Sequence, residues 1–316
     1  MQKGHIVAIC TSEIKGTAKK PVEKAVLIED FGIENDAHAG KWHRQVSLLS
    51  KEAVDAFSEK APEISKMLTP GAFGENLLTE GIELNDIPCG SLIRSGEVVL
   101  RVTQHGKECH STCEIRNIVG DCIMPKEGIF TEVVHGGILT VGDELSVEPR
   151  SGNSPYRAAV ITLSDKASRG EREDKSGPLL AKLLVDCGYE VIEEVILPDD
   201  RAQLEKNLIR LADRREAELI ITTGGTGFSE RDITPEATLA VATRNVPGIA
   251  EAIRAESLKI TPKAMLSRAV SVIRNRTLII NLPGSPKAVE ESFAVIKDVL
   301  GHGLGVLTGH DTECGR

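Results

Sequence analysis

The sequence has no apolar run approaching the roughly 18 residues that a membrane-spanning helix requires. Its opening stretch, MQKGHIVAICTSEIKG, has no long apolar segment followed by a small-residue cleavage site, which argues against a secretory leader. Basic runs are also missing. The net charge is −9; residues 1–150 carry 16 Lys and Arg against 23 Asp and Glu, and the remainder carries 22 against 24. Duplex nucleic acid therefore finds no electrostatic footprint here, and an anionic substrate has to be held by local donors. There is no internal repeat. The seven cysteines (Cys10, Cys89, Cys109, Cys113, Cys122, Cys187 and Cys314) do not pair off evenly. An odd count with no export signal leads us to expect reduced thiols and a cytoplasmic protein.

What is present is the composition of a globular protein, 41% hydrophobic and 27% charged over 316 residues, a length suited to about two domains. A stretch rich in turn-forming residues at 149–157 marks the linker. Before it, residues 1–148 show short strand-like runs at 46–49, 98–103 and 138–141, separated by Gly and Asp turns, with one helical pattern at 51–60. A β-rich, barrel-like domain is expected. After it, residues 158–316 alternate apolar strand runs (158–163, 191–197, 219–222, 278–281) with helical patterns (176–187, 201–215, 236–243, 248–258, 286–300). That alternation predicts an α/β, doubly wound, mostly parallel sheet with helices on both faces.

In such a sheet, ligands bind beyond the carboxyl ends of the strands. Four loops leave those ends: TLSDKASRGEREDKSGP (162–178), LPDD (197–200), TTGGTGFSERDITPEAT (222–238) and NLPGSPK (281–287). Gly224, Gly225 and Gly227 can expose backbone N–H groups to phosphate oxygens, although a GGTG alone also serves as a tight turn. Asp199 and Asp232 sit on different loops aimed at one crevice, and two carboxylates beside a polyphosphate suit Mg²⁺. Asp199 could instead cap the next helix, and Asp200 competes for either role. Ser176 is expected to be an N-cap with Pro178 in the first turn, and Ser285 and Pro286 open the last helix. Both helix starts favour an anion and both also need capping. Lys287 either screens phosphate or simply stands in water.

The segments TLSD, DKSGP, PDD, TTGGTGFSERDITPEAT, MLSR and NLPGSPK occur in this order through residues 158–300. In them the chain resembles the molybdopterin adenylyltransferase family, the MogA/MoaB-type proteins of molybdenum cofactor biosynthesis. The resemblance implies transfer of AMP from Mg-ATP onto the terminal phosphate of molybdopterin, and assembly as a trimer or hexamer. It assigns the family's two functional aspartates to Asp199 and Asp232, which would also hold the metal. It places the nucleotide and pterin around Ser164, Asp165, Asp174, Ser176, Gly177, Thr223, Gly224, Gly225, Thr226, Gly227, Pro283, Gly284 and Ser285. Other proteins of molybdenum cofactor biosynthesis are the implied partners.

The motifs AHAGKWHRQVSLLS (37–50), PGAFGENL (70–77), VTQHGKECH (102–110) and GDCIMPKEGIF (120–130) resemble the MOSC domain. That resemblance implies a β-barrel that binds or handles molybdenum cofactor, with sulfur carried on a cysteine. The family's cysteine matches Cys109, with Cys113 as the near alternative. His105, Lys107 and His110 would favour a thiolate there. Cys109, Cys113 and Cys122 with a histidine could instead form a zinc site, or be buried thiols. Asp36, His38, Arg44 and Ser47 are candidates for an anion pocket, His38 and His43 being equally readable as surface histidines. For the whole chain, an adenylyltransferase fused to a cofactor-handling domain leads. A molybdate insertase, a non-catalytic molybdopterin carrier and a nucleotide hydrolase remain as alternatives.

Overall fold

The structure is a computed structural model of the chain and describes residues 2–60, 62, 63, 65, 68–108 and 122–309. Two compact units comprise Met1–Ser151 and Gly152–Arg316, and the division falls within the turn-rich stretch at 149–157.

The first unit contains β1 (Lys3–Thr11), β2 (Lys20–Val22), β3 (Lys24–Ile28), β4 (Gly32–Ile33), β5 (Val46–Ser50), helix α1 (Lys51–Lys60), β6 (Leu77–Glu80), β7 (Leu92–Ser95), β8 (Val98–His105), β9 (Ile129–His135), β10 (Gly137–Thr140) and β11 (Glu144–Glu148). Strands run in the order β11-β7-β8-β9-β5-β6-β1, and β1 pairs back onto β11. This closes a seven-stranded barrel, the expected architecture, and closure leaves those strands no free edge. Alternation fills the lumen: Ile6, Leu48, Leu77, Ile93, Leu100, Ile129 and Leu145 all lie in one buried cluster. The strands β10-β3-β4 form a separate small sheet.

The second unit contains β12 (Arg157–Leu163), α2 (Ser176–Asp186), β13 (Glu190–Leu197), α3 (Arg201–Ile209), β14 (Leu219–Thr223), α4 (Thr234–Ala240), β15 (Arg244–Asn245), α5 (Pro247–Ile260), β16 (Ser271–Arg274), β17 (Thr277–Leu282) and α6 (Pro286–Thr308). The sheet order is β13-β12-β14-β17-β16-β15. Its first four strands are parallel, and β16 and β15 join antiparallel. Period-2 alternation divides the central strands between two cores. Ala158, Val160, Leu219, Ile221, Leu278 and Ile280 pack with α2, α5 and α6. Ala159, Ile161, Ile220 and Ile279 pack with α3 and α4. Both faces are covered, so β12, β14 and β17 are buried along their whole length and read as continuous apolar runs.

Three local readings need correction. The helix expected at 201–215 turns from α to π winding at Arg210–Arg214. The helix expected at 236–243 begins at Thr234, whose hydroxyl donates to the Gly224 carbonyl at 2.9 Å and anchors the first turn to the glycine loop. The β15–β16 ribbon went unread because its strands have only two and four residues, too few for a periodic signal.

Candidate active site

The chain enters the sheet at β12, moves outward to β13, then returns past β12 to β14. The loops after β12 and β14 therefore diverge and leave a crevice at the switch point. A cleft of about 550 Å³ occupies this position. Its walls come from the ends of all four parallel strands: Thr162 to Ser164 after β12, Asp199 after β13, Thr223 to Gly225 after β14, and Gly284 to Pro286 after β17.

Asp199 and Asp232 both line this cleft. The choice between Asp199 and Asp200 is resolved by capping. Asp200 is the N-cap of α3 and accepts from the Gln203 amide at 2.9 Å, leaving Asp199 to face the cleft. Burial raises the carboxyl pKa of Asp199, and the charges of Asp165 and Asp232 push it the same way, while the Asp165 amide opposes them. Asp232 accepts from the Ser229 amide at 2.8 Å, which fixes its side chain against the loop.

The glycine loop is built for close approach. Gly224 and Gly225 have φ of +97° and +64°, the left-handed region. A Cβ on Gly225 would stand 2.4 Å from Thr234 Oγ1, and one on Gly224 would stand 2.5 Å from the Leu163 carbonyl. The Gly224 amide is not available to a ligand, since it donates to the Leu282 carbonyl at 3.2 Å. The Gly225 and Thr226 amides have no protein acceptor among the described residues. Arg268, from the MLSR segment, braces the loop: its guanidinium donates to the carbonyls of Gly227 and Asp232 and pairs with Glu236.

Ser176 is not the N-cap but the first helical residue. Lys175 holds the N-cap position, and the carboxylate of Asp174 just before it accepts from the amides of Ser176 at 2.9 Å and Gly177 at 3.1 Å. The Ser176 hydroxyl donates instead to the Gly284 carbonyl at 2.8 Å, and Thr223 Oγ1 donates to the Pro283 carbonyl at 2.7 Å, so the fourth loop is tied to two others. Ser285 does cap α6, accepting from the Ala288 amide at 3.3 Å. Lys287 is well exposed, in keeping with its reading as a solvated lysine.

Of the sequence-derived candidates, Ser164, Asp174, Ser176, Asp199, Thr223, Gly224, Gly225, Asp232, Gly284 and Ser285 line the cleft. Thr226, Gly227 and Pro283 face an adjoining pocket of about 290 Å³. Gly177 is buried under Asp174. Asp165 is engaged by Arg231, whose Nη2 lies 2.7 Å from Oδ1 and whose Nε lies 3.1 Å from Oδ2. Arg231 pulls the Asp165 carboxyl below the usual carboxylate range. Sequence reasoning missed Arg231, as well as Arg172 and Lys175 on the cleft wall. Arg231 stands next to Asp232 in the motif, and that adjacency was its only signal.

In the barrel unit the proposed anion pocket needs revision. Asp36 is buried and paired with Lys19 Nζ at 2.6 Å, and it also accepts from the amides of Ser12 and His38. Burial alone would raise its pKa; hydrogen bonding from His38 and the charge of Lys19 outweigh this and hold it well below the carboxylate range. Ser47 is also buried. Its hydroxyl donates to Asn76 Oδ1 at 3.0 Å, joining β5 to the 70–77 loop. Neither group is free to receive an anion. His38 is half-buried with Nδ1 3.4 Å from Lys19 Nζ, and Arg44 stacks over Trp42 with its Cζ 4.7 Å from the ring centroid. Cys109 and Cys113 lie outside the described residues, as does His110. Among the described residues Cys10 and Cys187 are free thiols, and no helix is long and apolar enough to cross a membrane.

A switch-point cleft with two carboxylates, a glycine loop and two helix starts at the carboxyl ends of parallel strands defines the class: a doubly wound α/β domain with its cleft at the switch point. Residues 137–302, more than half of the chain, match the family described as "Probable molybdopterin binding domain", and the chain belongs to that family. Residues 35–146 match the MOSC domain, so the protein is a fusion of the two. The molybdopterin adenylyltransferase of Escherichia coli (strain K12) is 44% identical over 149 residues, 46% of this chain and 76% of that protein. The enzyme of the same name from Haemophilus influenzae is 43% identical over 152 residues, 47% of this chain and 76% of its own. A crystal structure of the molybdopterin biosynthesis enzyme MoaB from Thermus thermophilus aligns at 45% identity, covering 49% of this chain and 97% of that one, with a TM-score of 0.47.

Proposed function

We propose that the C-terminal unit transfers the adenylyl group of ATP to the terminal phosphate of molybdopterin. The observation that carries this reading is the shared cleft of Asp199 and Asp232 at the switch point, in a chain 44% identical over 149 residues to an enzyme named for that reaction. A phosphate oxygen of the pterin attacks the α-phosphorus of ATP; the new P–O bond forms as the bond to the β-phosphate breaks, and pyrophosphate leaves. The attacking phosphate is already ionised at neutral pH, so the protein supplies positioning rather than a strong base.

Asp199 and Asp232 offer an oxygen-only donor set, and the raised pKa of Asp199 beside two further carboxylates marks a place where a cation is welcome. These two residues would hold Mg²⁺, which when bound offsets the charge of the polyphosphate and of the departing pyrophosphate. The unused amides of Gly225 and Thr226 orient a phosphate oxygen, and the starts of α2 and α6 add favourable dipoles. Arg231 keeps Asp165, and through it the Asp199 loop, in place.

The N-terminal unit is read as receiving or holding molybdenum cofactor, with sulfur carried on Cys109 or Cys113. Its support is the MOSC match. A persulfide mass increment on either residue in the purified protein tests it. The fusion would keep a labile intermediate near its next site, in a cytoplasmic homo-oligomer.

Incubation with molybdopterin and Mg-ATP tests the main reading. Adenylated pterin and pyrophosphate in equal amounts are expected. Pyrophosphate or AMP without adenylated pterin would point to a hydrolase, molybdate-dependent release of AMP from adenylated pterin to an insertase, and tight binding without turnover to a carrier.

A further inference from the structure

The loop between β12 and α2 contains the run RGEREDK (169–175), in which every residue but the glycine is charged. Opposite charges this close pair off, and most of these do. Arg169 holds Glu171 through two hydrogen bonds, at 2.7 and 3.0 Å. Asp174 accepts from the amides of Ser176 and Gly177. Lys175 Nζ lies 3.9 Å from a Glu173 oxygen. Arg172 is left over: among the described residues no hydrogen bond or ion pair engages its guanidinium, and it lines the cleft. Its backbone is held on both sides. The Glu171 amide donates to the Lys166 carbonyl at 2.9 Å, and Asp174 ties the far end to the start of α2.

The cleft is short of positive charge. Four carboxylates line it, on Glu173, Asp174, Asp199 and Asp232, against the two cations Arg172 and Lys175. The need for a cation is greatest at the leaving group of adenylyl transfer. As the bond from the α-phosphorus to its bridging oxygen breaks, pyrophosphate departs with the electron pair, and negative charge grows on the β-phosphate. A guanidinium suits this position: its planar fork donates two parallel hydrogen bonds to one phosphate, and it stays charged at every working pH. Lys175 offers only a point charge, and that charge is shared with Glu173.

We infer that Arg172 grips the β- and γ-phosphates of ATP and neutralises the departing pyrophosphate. The inference rests on the adenylyl-transfer reading and divides the labour of the cleft. The glycine-loop amides orient the phosphate under attack, and the 169–175 loop holds the leaving group.

The test measures binding of inorganic pyrophosphate and of AMP by calorimetry, in Mg²⁺ buffer, to the full chain and its Arg172→Ala and Arg172→Lys variants, beside steady-state kinetics with ATP and molybdopterin. Arg172 is exposed and makes no bond, so the variants should melt with wild type. Arg172→Ala is expected to bind pyrophosphate at least about tenfold more weakly and AMP within about twofold of wild type. The KM for ATP should rise by a similar factor while that for molybdopterin holds. Arg172→Lys should fall between the two, since it keeps the charge and loses the fork. No pyrophosphate binding by wild type at millimolar concentration, unchanged affinity in Arg172→Ala, or an equal loss of AMP and pyrophosphate would each overturn the assignment. So would a rise confined to the KM for molybdopterin, which would give Arg172 to the acceptor phosphate. A selective loss of pyrophosphate and ATP binding in a protein that makes no adenylated pterin would uphold Arg172 as the polyphosphate grip and reject the transferase reading.

Discussion

Asp165 and Asp199 hold each other through their backbones: the Asp165 amide donates to Asp199 Oδ2 at 3.1 Å, and the Asp199 amide donates to Asp165 Oδ1 at 3.1 Å. Two carboxylates side by side repel, and here each is compensated by the other's peptide N–H. Arg231, from a third loop, adds its guanidinium to Asp165. The loops after β12, β13 and β14 are thus locked together at the point where the cleft needs Asp199 fixed.

Arg231→Ala should therefore lower adenylyl transfer by up to about 100-fold through misplacement of Asp199. The pair is solvent-exposed, so thermal stability should hardly change. Steady-state kinetics alongside a thermal melt checks both halves. Unchanged turnover, or a loss of turnover matched by a large drop in melting temperature, would contradict this role.

The glycine loop makes a prediction about stability. Gly225→Ala places a Cβ 2.4 Å from Thr234 Oγ1 in a left-handed backbone, and should destabilise the C-terminal unit by about 2 kcal/mol or more. Gly248→Ala is the control, since a Cβ there meets nothing within 4 Å in helix α5. It should be neutral or stabilising by up to about 1 kcal/mol. Denaturant melts of the two variants give the comparison.

The fold was legible where strands are long and buried on both faces, as in β12 and β14, because an apolar run bounded by turn residues has few other readings. The barrel was legible as strand-rich, but its closure depends on the β1–β11 pairing, a contact between residues about 140 positions apart that no local pattern encodes. In the site, the two aspartates came from motif and loop position. Which of Asp199 and Asp200 faces the cleft, and whether Ser176 or Asp174 satisfies the first amides of α2, are decided by hydrogen bonds the sequence does not rank. Ser47 and Asp36 look like ligand-binding residues in a string of letters, yet both are used up inside the fold.

The barrel unit carries its own pH signature. Glu75 is 1% exposed and accepts from the amides of Gly71 at 2.6 Å and Phe73 at 3.1 Å. Burial outweighs those bonds and raises its pKa from 4.5 to about 6. The folded state then binds the proton more tightly than the unfolded state. The resulting stabilisation is complete below pH 4.5 and is lost as pH rises through 6, a decline of roughly 2 kcal/mol. Asp36, depressed rather than raised, acts in the opposite sense and at lower pH. Glu75→Gln should remove the decline between pH 4.5 and 6 in denaturant melts of the full chain. A decline that survives the substitution would assign it to another group.

The central claim is that Asp199 and Asp232 act together on a polyphosphate in one cleft, and single-turnover adenylylation of molybdopterin by Asp232→Asn in Mg-ATP tests it most directly. The substitution keeps an acceptor oxygen for the Ser229 amide, so circular dichroism and melting temperature should match wild type. The expected result is a loss of adenylated pterin by at least about 100-fold. Wild-type yield and rate from the folded variant would contradict the account.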